Sequence, residues 1–123
     1  MDNKTVLAVV NDLFFSAKIT EAAKRAGVGL QYVTTEKDLL EKARVNPSLI
    51  IFDLNFEAAQ PLKLITSLKA DATLKHIRLL GYLSHVQEEL KVKALEAGCD
   101  TVMPRSAFSA NLVQIFNREA GTA

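Results

Sequence analysis

The sequence lacks the features that would indicate a specialised environment. Its single cysteine, Cys99, has no partner for an internal disulfide and lacks the Cys and His neighbours of a zinc site. We therefore expect Cys99 to be a buried apolar filler. Lys plus Arg number 15 and Asp plus Glu number 14, so the net charge of +1 provides no field that favours nucleic acid or an anionic membrane. A protein partner or a small ligand is the better expectation.

Long apolar runs are also missing. The five apolar residues before Asn11 are too few for a signal-peptide core or a membrane span, so we expect a cytoplasmic protein. No repeat or low-complexity segment divides the chain. Residues 1–123 are long enough to close one hydrophobic core without a disulfide or a structural metal, and are expected to form a single domain.

Apolar runs and helical apolar stripes alternate along the chain. Strands are predicted at 6–12, 30–33, 49–53, 77–83 and 101–103. Helices are predicted at 16–26, 36–45, 61–69 and 87–97, with a last one from residue 106. The expected helix boundaries are Gly27, Thr35, Pro61, Gly98 and Ser106.

This alternation indicates an α/β fold. Five apolar strands joined by helices predict a parallel sheet covered on both faces. The commonest arrangement is the flavodoxin-like, doubly wound, five-stranded sheet with strand order 2-1-3-4-5. Its ligands bind beyond the carboxyl ends of the first and third strands. Asp12 and Asp53 end those two strands.

Asp53 ends a run of four large apolar residues, and a strand buried on both faces rarely ends on a carboxylate without a reason. Facing carboxylates repel each other, and the usual remedies are a shared proton or a divalent cation. Mg²⁺ needs only one or two carboxylates plus other oxygens. Asp12, Asp53 and a backbone carbonyl near Asn55 would supply such a set. The alternatives are a surface acid at Asp53 and a simple helix cap at Asp12.

From about Lys4 to Asn117 the chain resembles the receiver domain of two-component response regulators. Asp53 matches the phosphoacceptor, Asn55 the position whose carbonyl binds the metal, and Asp12 one of two metal-binding acids. The resemblance implies a phosphoprotein of phosphorelay signal transduction that binds Mg²⁺ and is not an enzyme. Its partners would be a sensor histidine kinase or phosphotransfer protein and a downstream protein.

Several positions depart from the family pattern. Asn11 stands where the family has a second metal-binding acid. The hydroxyl residue expected after the fourth strand falls on Leu83, with Ser84 adjacent as a substitute. Arg105 replaces the family's Lys and keeps the positive charge, although a solvated surface Arg is equally compatible with the sequence. The aromatic switch position falls on Val102.

Two other functions compete with a phosphorylated receiver. The first is a pseudo-receiver, an atypical member used as a phosphorylation-independent interaction module. The second is a small enzyme or cofactor-binding domain, which the acidic and apolar loop 11–15 opposes. His85 lacks a nucleophile with an orienting acid and is expected to be a water-facing loop residue. The fold also permits a homodimer through the fourth helix, fourth strand or fifth helix.

Overall fold

The computed structural model describes residues 4–84 and 87–121. The strands are β1 (Thr5–Val9), β2 (Gly29–Tyr32), β3 (Leu49–Asp53), β4 (Arg78–Leu83) and β5 (Thr101–Pro104). The helices are α1 (Leu13–Ala26), α2 (Glu36–Ala43), α3 (Pro61–Ala70), α4 (Glu88–Ala97), α5 (Arg105–Ala110) and α6 (Leu112–Glu119). A 3₁₀ turn, Glu57–Ala59, precedes α3. The predicted position of His85 lies outside the described residues.

The five strands form one parallel sheet in the order β2-β1-β3-β4-β5. This confirms the predicted fold class and strand order. Side chains alternate between the two faces of each strand, so the core is divided into two clusters. One contains Ile50, Phe52, Leu79 and Leu83, and the other contains Ile51, Leu80, Tyr82, Phe108 and Phe116.

Helix α1 begins three residues earlier than predicted, at Leu13 instead of 16. The cause is Asp12, whose Oδ1 accepts hydrogen bonds from the backbone N–H groups of Phe14 and Phe15 and so starts the helix. Strand β1 accordingly ends at Val9, and residues 10–12 connect it to the helix. The helix ends where predicted, at Gly27, which adopts the left-handed conformation with φ 72°.

The other boundary residues were mostly predicted correctly. Thr35 caps α2, Pro61 is the first residue of α3, and Gly98 ends α4 in the left-handed region. The predicted single last helix is wrong, because the chain breaks at Asn111 into α5 and α6. The Asn111 side chain donates to the Ala107 carbonyl at 2.7 Å, which competes with continuation of the helix.

Ser106 does not cap the last helix, because α5 already begins at Arg105 after Pro104. Cys99 is buried as expected, and this burial raises its thiol pKa to about 11. A search of the described residues finds no helix long and apolar enough to cross a membrane.

Candidate functional site

Asp53 lies at the carboxyl end of the central strand β3 and is only 5% exposed. Its Oδ1 accepts a hydrogen bond of 2.9 Å from the backbone N–H of Asn55. Burial raises the pKa of this carboxyl group, the Asn55 N–H and the charge of Arg105 oppose the change, and Asp12 adds to it. The charges of Asp12 and Arg105 therefore both act on the Asp53 carboxyl group.

Asp12 is half-buried in the loop that connects β1 to α1. Its Oδ1 accepts from Phe14 N at 2.8 Å and from Phe15 N at 3.1 Å. Capping occupies only one carboxylate oxygen, so the cap reading and the metal-ligand reading are compatible. Asn11 is exposed beside it and has only a neutral amide to offer.

The Asn55 side chain connects two loops at this edge of the sheet. Its Oδ1 accepts from the Ser84 backbone N–H at 2.7 Å, and its Nδ2 donates to Gln87 Oε1 at 2.9 Å. Its carbonyl accepts from the Glu57 N–H at 3.0 Å, which leaves one lone pair for another partner. Sequence reasoning identified the carbonyl but missed the side-chain bridge.

Leu83, at the position of the family hydroxyl, is the last residue of β4 and is 3% exposed in the apolar core. The adjacent Ser84 is half-buried, and its backbone is held against Asn55. Ser84 therefore belongs to the loops that surround the site. Its role as the substitute hydroxyl stays a prediction.

Arg105 is half-buried at the first turn of α5. Its guanidinium carbon lies 5.0 Å from the centroid of the Phe15 ring, in cation–π contact. Its Nε is buried and has no hydrogen-bond partner. None of the ion pairs found in the described part of the chain joins Arg105 to Asp12 or Asp53. The charge of Arg105 thus lowers the pKa of Asp53 although the two side chains form no ion pair.

Sequence reasoning missed Tyr82, a fully buried residue of β4 directly in register with Asp53. Its ring stacks on Phe108, at 4.4 Å, and on Phe15, at 5.4 Å, and these two rings lie 6.2 Å from each other, so the three form one aromatic cluster. Its hydroxyl is buried without a hydrogen-bond partner. Burial and the neighbouring charge of Asp53 raise its pKa. A tyrosine inside an otherwise apolar strand was the available signal.

The donor set is compatible with Mg²⁺. The two carboxylates and the Asn55 carbonyl are hard oxygen ligands, and a cation would relieve the effect of Asp12 on buried Asp53. Within residues 4–84 and 87–121, no group of three or more His, Cys, Asp or Glu side chains could hold a metal ion. Any ion here would therefore retain several water ligands.

No protein-family model and no curated protein matches the sequence. Solved structures do match. A response regulator from Hahella chejuensis superposes with a TM-score of 0.81 at 19% identity, covering 94% of each chain. The chemotaxis response regulator CheY4 of Vibrio cholerae gives a TM-score of 0.79 at 17% identity, covering 96% of this chain and 99% of that one.

A third structure is the receiver domain of a signal transduction histidine kinase from Syntrophus aciditrophicus. It matches with a TM-score of 0.79 at 18% identity and covers 96% of this chain and 90% of that one. The resemblance that the sequence indicated is therefore matched at the level of three-dimensional structure. The chain has the fold of response regulator receiver domains.

Proposed function

We propose that this domain accepts a phosphoryl group on Asp53 and transmits that change to another protein in two-component signalling. One observation carries the proposal: a carboxylate that is 5% exposed ends the central strand under the electrostatic influence of Arg105 and Asp12. This position is where ligands bind in a doubly wound sheet. The sensor histidine kinase or phosphotransfer protein expected from the resemblance would supply the phosphoryl group.

The residues divide the chemistry between them. Oδ1 of Asp53 accepts the Asn55 N–H, which orients the carboxylate and leaves Oδ2 to attack phosphorus. As the new P–O bond forms, the bond from phosphorus to the donor's nitrogen or oxygen breaks, and the electron pair leaves with that atom. Mg²⁺ bound by Asp12, Asp53 and the Asn55 carbonyl would neutralise the charge that develops on the transferred oxygens. Asn11 could contribute only its amide oxygen.

The product carries about two negative charges where one carboxylate stood. Arg105 has an unpaired Nε and can bind phosphoryl oxygens through its planar guanidinium. Asn55 ties the loop that follows Asp53 to Ser84 and Gln87. A rearrangement at Asp53 therefore has a direct connection to the start of α4, which would present the change to a downstream protein in the cytoplasm.

The test is a titration with beryllofluoride and Mg²⁺ followed by amide NMR, because beryllofluoride imitates a phosphoryl group on a carboxylate. We expect perturbations around Asp12, Asp53 and Arg105. Asp53→Asn is the matched control, since it retains the size of the side chain and removes the nucleophilic carboxylate. Absence of perturbation in the natural protein at saturating Mg²⁺ would exclude phosphoryl acceptance.

That negative result would favour the second candidate, a pseudo-receiver that binds its partner without phosphorylation. Two observations support this alternative. Leu83 occupies the hydroxyl position and is packed in the core. Arg105 lies on the Phe15 ring and forms no ion pair with Asp53. A pseudo-receiver would bind the same partner equally well with Asp53→Asn.

A further inference from the structure

Three buried side-chain polar atoms in the described part of the chain have no hydrogen-bond partner: Tyr82 Oη, Arg105 Nε and Glu119 Oε2. Glu119 Oε2 still has an opposite charge, since it lies 3.2 Å from Arg78 in an ion pair. The Tyr82 hydroxyl and Arg105 Nε are donors. A buried donor without an acceptor costs free energy, and such a group therefore calls for an explanation.

Both donors lie at the same end of the same face of the sheet. Tyr82 is the register partner of Asp53 on the adjacent strand, so their side chains project to one face. Arg105 contacts Phe15, and Phe15 stacks on Tyr82. The charges of Asp53, Arg105 and Asp12 all act on the pKa of the Tyr82 hydroxyl. The two unpartnered donors thus lie on the same face and at the same end of the sheet as the candidate acceptor carboxylate.

The Tyr82 ring is held rigidly. Phe108 stacks on it with an interplanar angle of 12°, and Phe15 with an angle of 28°. Phe15 and Phe108 also contact each other, with ring centroids 6.2 Å apart, so the three buried rings form one cluster that restricts the position of the Tyr82 hydroxyl before any ligand arrives. A fixed donor loses little conformational entropy when it binds, which favours recognition of a group with a defined position.

We infer that Tyr82 Oη and Arg105 Nε are the donors that bind the anionic oxygens of a phosphoryl group on Asp53. In this arrangement Tyr82 supplies the hydroxyl that the chain lacks at Leu83. Tyr82 precedes Leu83 by one residue in β4, and its side chain lies on the opposite face of the sheet. The inference rests on the proposed function. It adds a phosphoryl-binding residue to those already assigned, and it gives both unpartnered donors an acceptor.

The test compares Tyr82→Phe with Tyr32→Phe. The first removes the hydroxyl and preserves the aromatic stack. The second removes the hydroxyl of the only other tyrosine, which lies on β2 and donates to the Ser16 carbonyl at 2.7 Å. Affinity for beryllofluoride in saturating Mg²⁺ would be measured by ¹⁹F NMR, and the stability of each ligand-free variant by thermal unfolding.

We expect Tyr82→Phe to bind beryllofluoride about tenfold more weakly, because a hydrogen bond to a charged group is lost. Tyr32→Phe should bind it normally. Without ligand, Tyr82→Phe should be at least as stable as the natural protein, since an unpartnered hydroxyl has been removed. A purely structural tyrosine would give equal affinity in all three proteins.

The outcomes separate the two proposals. Binding by the natural protein with equal binding by Tyr82→Phe overturns only the role of Tyr82. Destabilisation of ligand-free Tyr82→Phe also overturns that role, because the hydroxyl would then have a structural partner. Absence of beryllofluoride binding by the natural protein overturns phosphoryl acceptance, and the role of Tyr82 with it.

Discussion

Asp12 is assigned two tasks that can be separated by substitution: it caps α1, and it would bind Mg²⁺. Asp12→Ala removes both. Asp12→Asn removes the charge needed for the metal and retains a side-chain oxygen that can accept the same two N–H groups. The pair of variants therefore distinguishes a structural role from a metal-binding role at one position.

The expected magnitudes follow from the cap geometry. The cap satisfies two backbone N–H groups, at 2.8 and 3.1 Å, and losing it should cost about 1 kcal/mol of unfolding free energy. The first turn of α1 contains no acidic residue, so losing the charge at this helix N-terminus removes about 0.5 kcal/mol more. Asp12→Ala should therefore melt about 5 °C lower, and Asp12→Asn about 2 °C lower.

Thermal unfolding with and without Mg²⁺ would measure both effects. Ligand that binds only the folded state raises the melting temperature, and both variants should lose most of this response because one of two carboxylates is gone. An Asp12→Asn protein with undiminished Mg²⁺ affinity would refute the metal assignment. Equal destabilisation by Asn and Ala would instead refute the capping argument.

Three further variants test neighbouring positions. Burial raises the pKa of Asp53 above 3.8, so the folded state binds more protons than the unfolded state and loses stability as the pH rises through the folded pKa. Asp53→Asn should therefore raise the melting temperature at pH 7 more than at pH 3.5. An equal effect at both pH values would contradict this. Asn11→Asp should strengthen Mg²⁺ binding about tenfold in a calorimetric titration by restoring a second acid, and unchanged affinity would place this side chain outside the metal site. Leu83→Thr should lower the urea unfolding free energy by about 3 kcal/mol, because a buried apolar side chain is lost, whereas a near-neutral result would show that the position is not part of the core.

The sheet could be predicted from sequence because its determinants are local. Each strand is a short apolar run with a glycine, proline or capping residue nearby, and right-handed crossovers leave few orders for five parallel strands. The boundaries were less accurate where one side chain decides them. Asp12 extends α1 by three residues, and Asn111 divides the last helix, through hydrogen bonds that periodicity does not reveal.

The candidate site was predictable only in part, for a similar reason. Asp12 and Asp53 follow from strand order alone, since parallel strands end at the same edge. The place of Tyr82 in the site depends on its register with Asp53 and on its packing against two phenylalanines that are distant from it in sequence. The cation–π contact of Arg105 likewise depends on where α1 and α5 meet, which strand patterns do not specify.

Arg105 acts on Asp53 through its charge and contacts the Phe15 ring directly. These two interactions indicate which part of the surface would respond to a charge added at Asp53. The contact of Arg105 with Phe15 competes with any new bond from Arg105 to phosphoryl oxygens. Phe15 belongs to α1 and Phe108 to α5, and both rings stack on Tyr82, so a displaced guanidinium alters packing between these two helices. Val102, at the family's aromatic switch position, packs against the cluster on the other face of the sheet. We therefore expect α1 and α5 to respond together with the start of α4, which Asn55 connects to the site, and we expect Val102 to take no part.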